Sequence, residues 1–159
     1  MRILFALLLS SALPLAACQA QPQAQTTPAA KALVKVPLVV ASTNGTHKFT
    51  VEVAATPEQQ ETGMMFRTAT TPNAGMIFPF PAPKMASFWM KNTLIPLDII
   101  FIRADGTIAN IADNAVPQSL DMVLAAEPVT AVLEIAGGRA AELGINPGDK
   151  VTWQSFAKR

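Results

Sequence analysis

The chain carries a single cysteine, a single histidine and no tyrosine. One cysteine excludes a disulfide framework and any zinc site built on a cysteine cluster. One histidine excludes a poly-histidine metal centre. Charge is scarce as well. Asp, Glu, Lys and Arg make up 14% of the 159 residues, and 12 basic residues stand against 11 acidic ones. That balance excludes the basic field that drives nucleic-acid binding. The longest greasy stretch, near the start, falls short of the roughly 20 residues a spanning helix needs. What is plentiful is apolar side chain, 50% of the total. Such a composition excludes disorder throughout.

The composition mixes two unlike parts. Residues 1–17 hold one charge at Arg2, an unbroken apolar run from Ile3 to Leu9, and small residues toward Ala17. That order predicts a secretory signal peptide. The only cysteine follows at once, in Leu15-Ala16-Ala17-Cys18. The segment resembles the lipobox of bacterial lipoproteins. The resemblance implies that Cys18 is lipidated: its sulfur takes a diacylglycerol, cleavage falls before it, and the new amine is acylated. The thiol is then a lipid handle rather than a nucleophile. Two or three acyl chains give stable attachment where one would be marginal. The expected location is the periplasmic side of the cell envelope, anchored by lipid. Gln19 stands where inner-membrane lipoproteins commonly carry Asp, which points to the outer membrane rather than the inner.

Residues 18–32 then comprise the lipidated cysteine and a tether. QAQPQAQTTPAAKA holds no large apolar residue and reads as flexible chain. Fully extended it would reach roughly 45 Å. Residues 33–159 are left for a single folded domain, long enough to bury a core without staples. Without Arg2 the basic count falls to 11, equal to the acidic count. Electrostatic steering of a charged partner is therefore not expected.

The domain reads as short strands separated by turns. Val34 to Val40 and Lys48 to Val53 flank Asn44-Gly45 and predict a hairpin. Thr56-Pro57-Glu58-Gln59 predicts a helix start with a capping box, running to about Met64. Gly75 to Phe78 predicts a strand, followed by a stiff loop from Pro79 to Pro83. Ser87 to Met90 looks extended. Leu97 to Ile102 lacks alternation, so it predicts a strand buried on both faces. Asp105-Gly106 turns it into a second hairpin. Val129 to Ile135 and Lys150 to Phe156 predict further strands, with a short helix from Gly137 to Leu143 ended by Gly144. The strands follow too closely for repeated βαβ units. The fold class expected is mainly β (α+β), a largely antiparallel, barrel-like domain with two short helices.

Several segments together resemble one family: Gly63-Met64-Met65-Phe66-Arg67, Gly75-Met76-Ile77-Phe78-Pro79-Phe80, Phe88-Trp89-Met90-Lys91-Asn92-Thr93, and Ile95-Pro96-Leu97-Asp98 running on to Ile102. Val132-Leu133-Glu134, Ala136-Gly137, Gly144-Ile145 and Gly148-Asp149 follow in order. This is similar to the family catalogued as domain of unknown function 192, over about residues 36–156. The resemblance implies a small β-rich domain, often exported, and brings no established reaction.

Candidate site residues are polar groups standing where apolar ones would be cheaper. Asp98 opens the most apolar strand, in phase with Ile100 and Ile102. Glu134 lies between Val132 and Ala136 on one strand face. A carboxylate buried there needs a partner, a cavity or a raised pKa. Arg67 and Lys91 are the candidate cations, Asn92 and Thr93 add short polar groups, and Trp89 offers a flat apolar wall. The expectation is that Arg67, Lys91, Asn92, Asp98 and Glu134 converge beside Trp89 into a polar cleft. The competing reading makes them structural pairs.

Such an inventory suits a small binding or accessory module of the envelope better than an enzyme. Its partners would be the membrane, through the lipid, and a small polar molecule, a glycan or an envelope protein. No cofactor, metal or nucleic acid is expected. One alternative is an envelope hydrolase using Asp98 and Glu134 as acid and base. Another is a soft-metal binder holding copper through methionine thioethers, although methionine as core filler accounts for the same residues. His47 is expected to be exposed in a hairpin turn, with no serine motif near it.

Overall fold

The computed structural model describes residues 32–154. The expected signal peptide, Cys18 and nearly all of the tether lie outside the described residues. β1 (Lys35–Ser42) and β2 (Gly45–Val53) form the first expected hairpin, with Ser42 opposite Gly45. α1 (Pro57–Thr62) starts as its sequence dictates. The Gln59 N–H donates to Thr56 Oγ1 at 3.3 Å, and the Thr56 N–H donates back to the Gln59 side chain at 3.1 Å. Both would otherwise be unpaired donors at the helix start.

β3 (Ala74–Lys84) and the two-residue β4 (Ser87–Phe88) follow. The expected proline loop from Pro79 to Pro83 is instead the outer half of β3. Its pairing register shifts between Pro79 and Lys84, where prolines offer no N–H to the ladder. β5 (Leu97–Ile102) is buried at all six positions, as its lack of alternation predicts. β6 (Ile108–Ala115), β7 (Val123–Leu124), β8 (Val129–Ala136), α2 (Arg139–Leu143) and β9 (Lys150–Trp153) complete the order. Gly144 ends α2 with a left-handed φ of 66°.

Seven strands form one sheet in the order β6-β5-β8-β3-β2-β1-β9, and β4 pairs with β7 in a separate ribbon. All pairs are antiparallel except β2 with β3. The fold is thus mainly β with two short helices, but the sheet does not close into a barrel. Its outer strands meet at their ends alone, through the bridge between Thr107 and Lys150, the Val151 N–H donating to the Gly106 carbonyl at 2.8 Å, and Ile108 exchanging backbone hydrogen bonds of 2.9 Å with Gly148 and Asp149. β9 has four residues, all paired with β1, and its other edge carries that short contact rather than a ladder.

Each face of the sheet carries its own core. One face buries Leu38, Val51, Ile77, Ile100, Leu133 and Ile135 together with Ala140 of α2. The other buries Met76, Phe78, Ile99, Phe101 and Val132 beneath Met64, Ala86 and Met90. Alternation along a strand sends successive side chains to opposite cores. That rule decides the fate of the two candidate carboxylates.

Candidate functional site

β8 is the central strand for this purpose. Glu134 stands between Leu133 and Ile135, which belong to the first core, so its side chain enters the second. Across the sheet it faces Met76 on β3 and Ile99 on β5. Both neighbours are apolar and fully buried. Glu134 is itself only 5% exposed, and its Oε2 has no hydrogen-bond partner. Burial pushes the carboxyl up to about 8, and the Arg67 charge offsets only part of that.

Above this carboxyl the second core is open. A cleft of about 280 Å³ lies between α1, the Gly63–Met65 turn and the Phe88–Trp89 segment, with Glu134 among its lining residues. Met64, Met65, Phe80, Phe88 and Trp89 supply apolar wall. Gln60, Ser87, Thr93 and Lys84 supply polar groups. Phe88 is held edge-on by Phe78 and Phe101, with ring centroids 5.1 and 6.2 Å away. Two of the aromatic rings carry ammonium groups of the chain's own lysines: Lys84 Nζ lies 3.8 Å from the Phe80 ring and Lys91 Nζ lies 4.9 Å from the Trp89 ring.

The loops that frame the cleft are laced together by backbone. The Phe66 N–H donates to the Asn92 carbonyl at 2.8 Å, the Met90 N–H to Ser119 at 3.1 Å, and the Gln118 N–H to Thr93 at 3.0 Å. Phe66 and Asn92 adopt positive φ, 63° and 56°, to make this junction. Asn is at ease in that conformation and Phe is not. Trp89 in the lining is exposed, and Leu94, Leu120, Met122 and Leu124, outside the lining, are exposed as well.

The expected convergence is realised only in part. Glu134 and Trp89 line the cleft. Arg67 approaches Glu134 closely enough to lower its pKa, but its guanidinium is paired with Glu52 on β2. Lys91 and Asn92 stay outside the lining. Lys91 covers Trp89, and the Asn92 side chain donates only a weak 3.9 Å contact to the Met65 sulfur. Asp98 is a correction. It is fully buried on the opposite face, where its carboxylate accepts the backbone N–H groups of Asn114, Gly138 and Ala140 at 2.7, 2.8 and 2.7 Å. It caps α2 and fixes the β6 bend, leaving no free oxygen for a ligand.

The hydrolase reading falls with Asp98, since a sheet separates the two carboxylates. His47 is half-buried rather than exposed, and its Nε2 lies 2.9 Å from Ser42 Oγ. That hydroxyl also takes the Asn44 N–H at 3.2 Å. The pair sits on a hairpin tip away from the cleft and closes a turn. Methionine divides three ways. Met76 and Met90 fill the core, Met64 and Met65 line the cleft together, and Met85 and Met122 are exposed. The cleft residues that sequence reasoning passed over are chiefly Met64, Met65, Phe88 and Lys84. Their signal was present in the sequence segments flanking Arg67 and Trp89, but only the fold shows them facing one space.

No curated protein is significantly similar to the chain. Among solved structures, a protein of unknown function from Novosphingobium aromaticivorans DSM 12444 is 54% identical, with a TM-score of 0.75 over 76% of this chain and 86% of that one. A protein from Sinorhizobium meliloti 1021, described provisionally as a transcription regulator, is 40% identical, with a TM-score of 0.76 over 79% of this chain and 98% of that one. The family model described as DUF192, uncharacterized ACR, COG1430, matches residues 39–153, and the chain belongs to that family.

Proposed function

We propose that the protein is a small binding module, leashed by lipid at Cys18 to the periplasmic side of the envelope, whose cleft holds a small molecule against Glu134. One observation carries the reading: a carboxyl buried to 95% that lines an open cleft, with a sealed oxygen, Oε2, that no described residue satisfies. A buried polar atom without a partner costs about 1–3 kcal/mol. A ligand that offers the Glu134 carboxyl a donor offsets that cost, and apolar walls shield the bond from water. Glu61 is the one other carboxylate of the lining, and no thiol or histidine joins it there among the described residues, an inventory that suits binding.

The chain's charge gives the transcription-regulator description of the Sinorhizobium protein no support here. With 12 basic and 11 acidic residues there is no surplus to hold phosphates. The exposed indole of Trp89 and the apolar wall beside it suit a ligand with an apolar portion. The test is a small-molecule screen read by the methyl signals of Met64 and Met65 and the indole of Trp89. Hits that move these signals in wild type and not in Glu134→Leu support a binding cleft. A broad screen in which none of the three responds overturns it.

A further inference from the structure

We infer that the cleft is built for an organic ammonium ion, with Glu134 as its counter-ion and the rings and thioethers of the wall as the bed for its apolar stem. The inference rests on the cleft reading above and adds the chemical class of the ligand.

Three features argue for a cation over a neutral donor or an anion. The first is the charge inventory around Glu134. From α1 the cleft is faced by Glu61, from β3 by Lys84, and beyond α1 Arg67 stands over β2. Arg67 is the nearest cation to act on Glu134, yet it makes its ion pair with Glu52 and none with Glu134. The ionised form of Glu134 therefore lacks a counter-charge in contact, and an incoming ammonium supplies one. An anion would meet the opposite situation, with two carboxyl groups, Glu61 and Glu134, in the lining.

The second feature is the wall. Trp89 is 42% exposed at the cleft, and Phe88 and Phe80 stand beside it. Ring faces attract ammonium groups, and the attraction grows as water is excluded. Lys84 and Lys91 already place their ammonium groups over Phe80 and Trp89. The mouth thus holds cations on its rings without any carboxylate to help. Glu134 lines the same cleft as these rings. The third feature is the thioethers of Met64 and Met65, soft and polarisable surfaces that accommodate an alkyl stem.

Binding is coupled to a proton. Glu134 is protonated near neutral pH because burial disfavours its charge. The ammonium keeps its own proton. Glu134 gives its proton to solvent, and the ion pair forms in the cleft. Net charge in the site is unchanged by the exchange, and one proton appears in the buffer for each ligand bound. Affinity therefore rises with pH until Glu134 is ionised in the free protein.

The experiment uses the whole chain in detergent micelles, with n-butylammonium as probe and butyramide as an uncharged probe of similar size. Calorimetry at pH 7.0 in two buffers of different ionisation enthalpy counts the protons. The expected result is butylammonium binding with release of roughly one proton, at least tenfold tighter at pH 8.5 than at pH 6.5. Glu134→Gln abolishes both the binding and the release. Trp89→Leu, at an exposed position, weakens binding several-fold while folding is kept, so a folding defect in the Gln variant leaves the idea testable. Butyramide binding as tightly with no proton released overturns the cation inference and leaves the cleft reading standing. Butylammonium binding unchanged in Glu134→Gln, or failing in wild type at every pH, also overturns it. Silence of the cleft toward every neutral and charged probe removes the binding reading as well.

Discussion

Asp98 and Glu134 stand on neighbouring strands one register step apart, and the sheet runs between them. Ile99 pairs with Glu134 and Asp98 pairs with Ile135, so each carboxylate faces the core opposite to the other's. One is saturated by three backbone N–H groups. The other has an oxygen with no partner at all. Two acidic residues that look alike in sequence thus do opposite jobs.

For Asp98 the job is structural. Asp98→Ala strips three buried N–H groups of their acceptor and frees the start of α2. We expect a loss of about 3–5 kcal/mol, read by urea denaturation, with cleft binding altered only through folding. A loss below about 1 kcal/mol would show that other acceptors take over those donors.

Glu134 predicts a pH dependence with a definite sign. Its folded value near 8 lies above the ordinary 4.5. Between those limits the folded protein holds a proton that the unfolded chain has released. Stability from this group is fully present below about pH 4.5, declines as pH rises, and levels off above about 8. The full span is on the order of 5 kcal/mol. Denaturation of wild type and Glu134→Gln from pH 4.5 to 9 checks this. The variant should gain on wild type steadily across the range, and parallel curves would speak against the assignment.

Arg67 acts on both acidic residues of its neighbourhood. Glu52 is partly shielded rather than sealed, with a side chain 19% exposed, so Arg67→Ala should cost about 1–2 kcal/mol. Lys91→Ala, which removes only an exposed contact with Trp89, should stay within about 0.5 kcal/mol. The more specific expectation concerns Glu134. Arg67 lowers its pKa, so Arg67→Ala should raise the titration midpoint of the Glu134 carboxyl in carbon-13 spectra. A midpoint that does not move would place the two groups further apart in solution.

The anchor is tested separately from the cleft. Cys18→Ala should abolish incorporation of labelled fatty acid and release the domain from membranes. Continued membrane attachment of the variant would mean that something other than acyl chains holds it.

Much of the fold was legible because local chemistry and tertiary context agree. The Asn44-Gly45 turn, the Thr56 capping box, the unalternating Leu97–Ile102 and the Gly144 stop all appear where their residues predict. The proline segment after Phe78 misled, since the far end of β3 tolerates prolines by giving up donors at a register shift. The site was half legible. Burial of Asp98 and Glu134 follows from their apolar neighbours. Strand phase puts Asp98 with Ile100 and Glu134 with Val132, but nothing local says that those two phases fall on opposite faces. That depends on the register between β5 and β8. The pairing of Arg67 with Glu52 also joins elements that only the fold brings together.

Crystals of the protein soaked with small amines and amides at pH 8 address the central claim most directly. A compact molecule should lie between Trp89 and Met65 with a donor atom about 3 Å from a carboxyl oxygen of Glu134, and Asp98 should keep its three backbone partners. A cleft collapsed over Glu134, with Arg67 or another protein donor seated on that oxygen, would contradict the account.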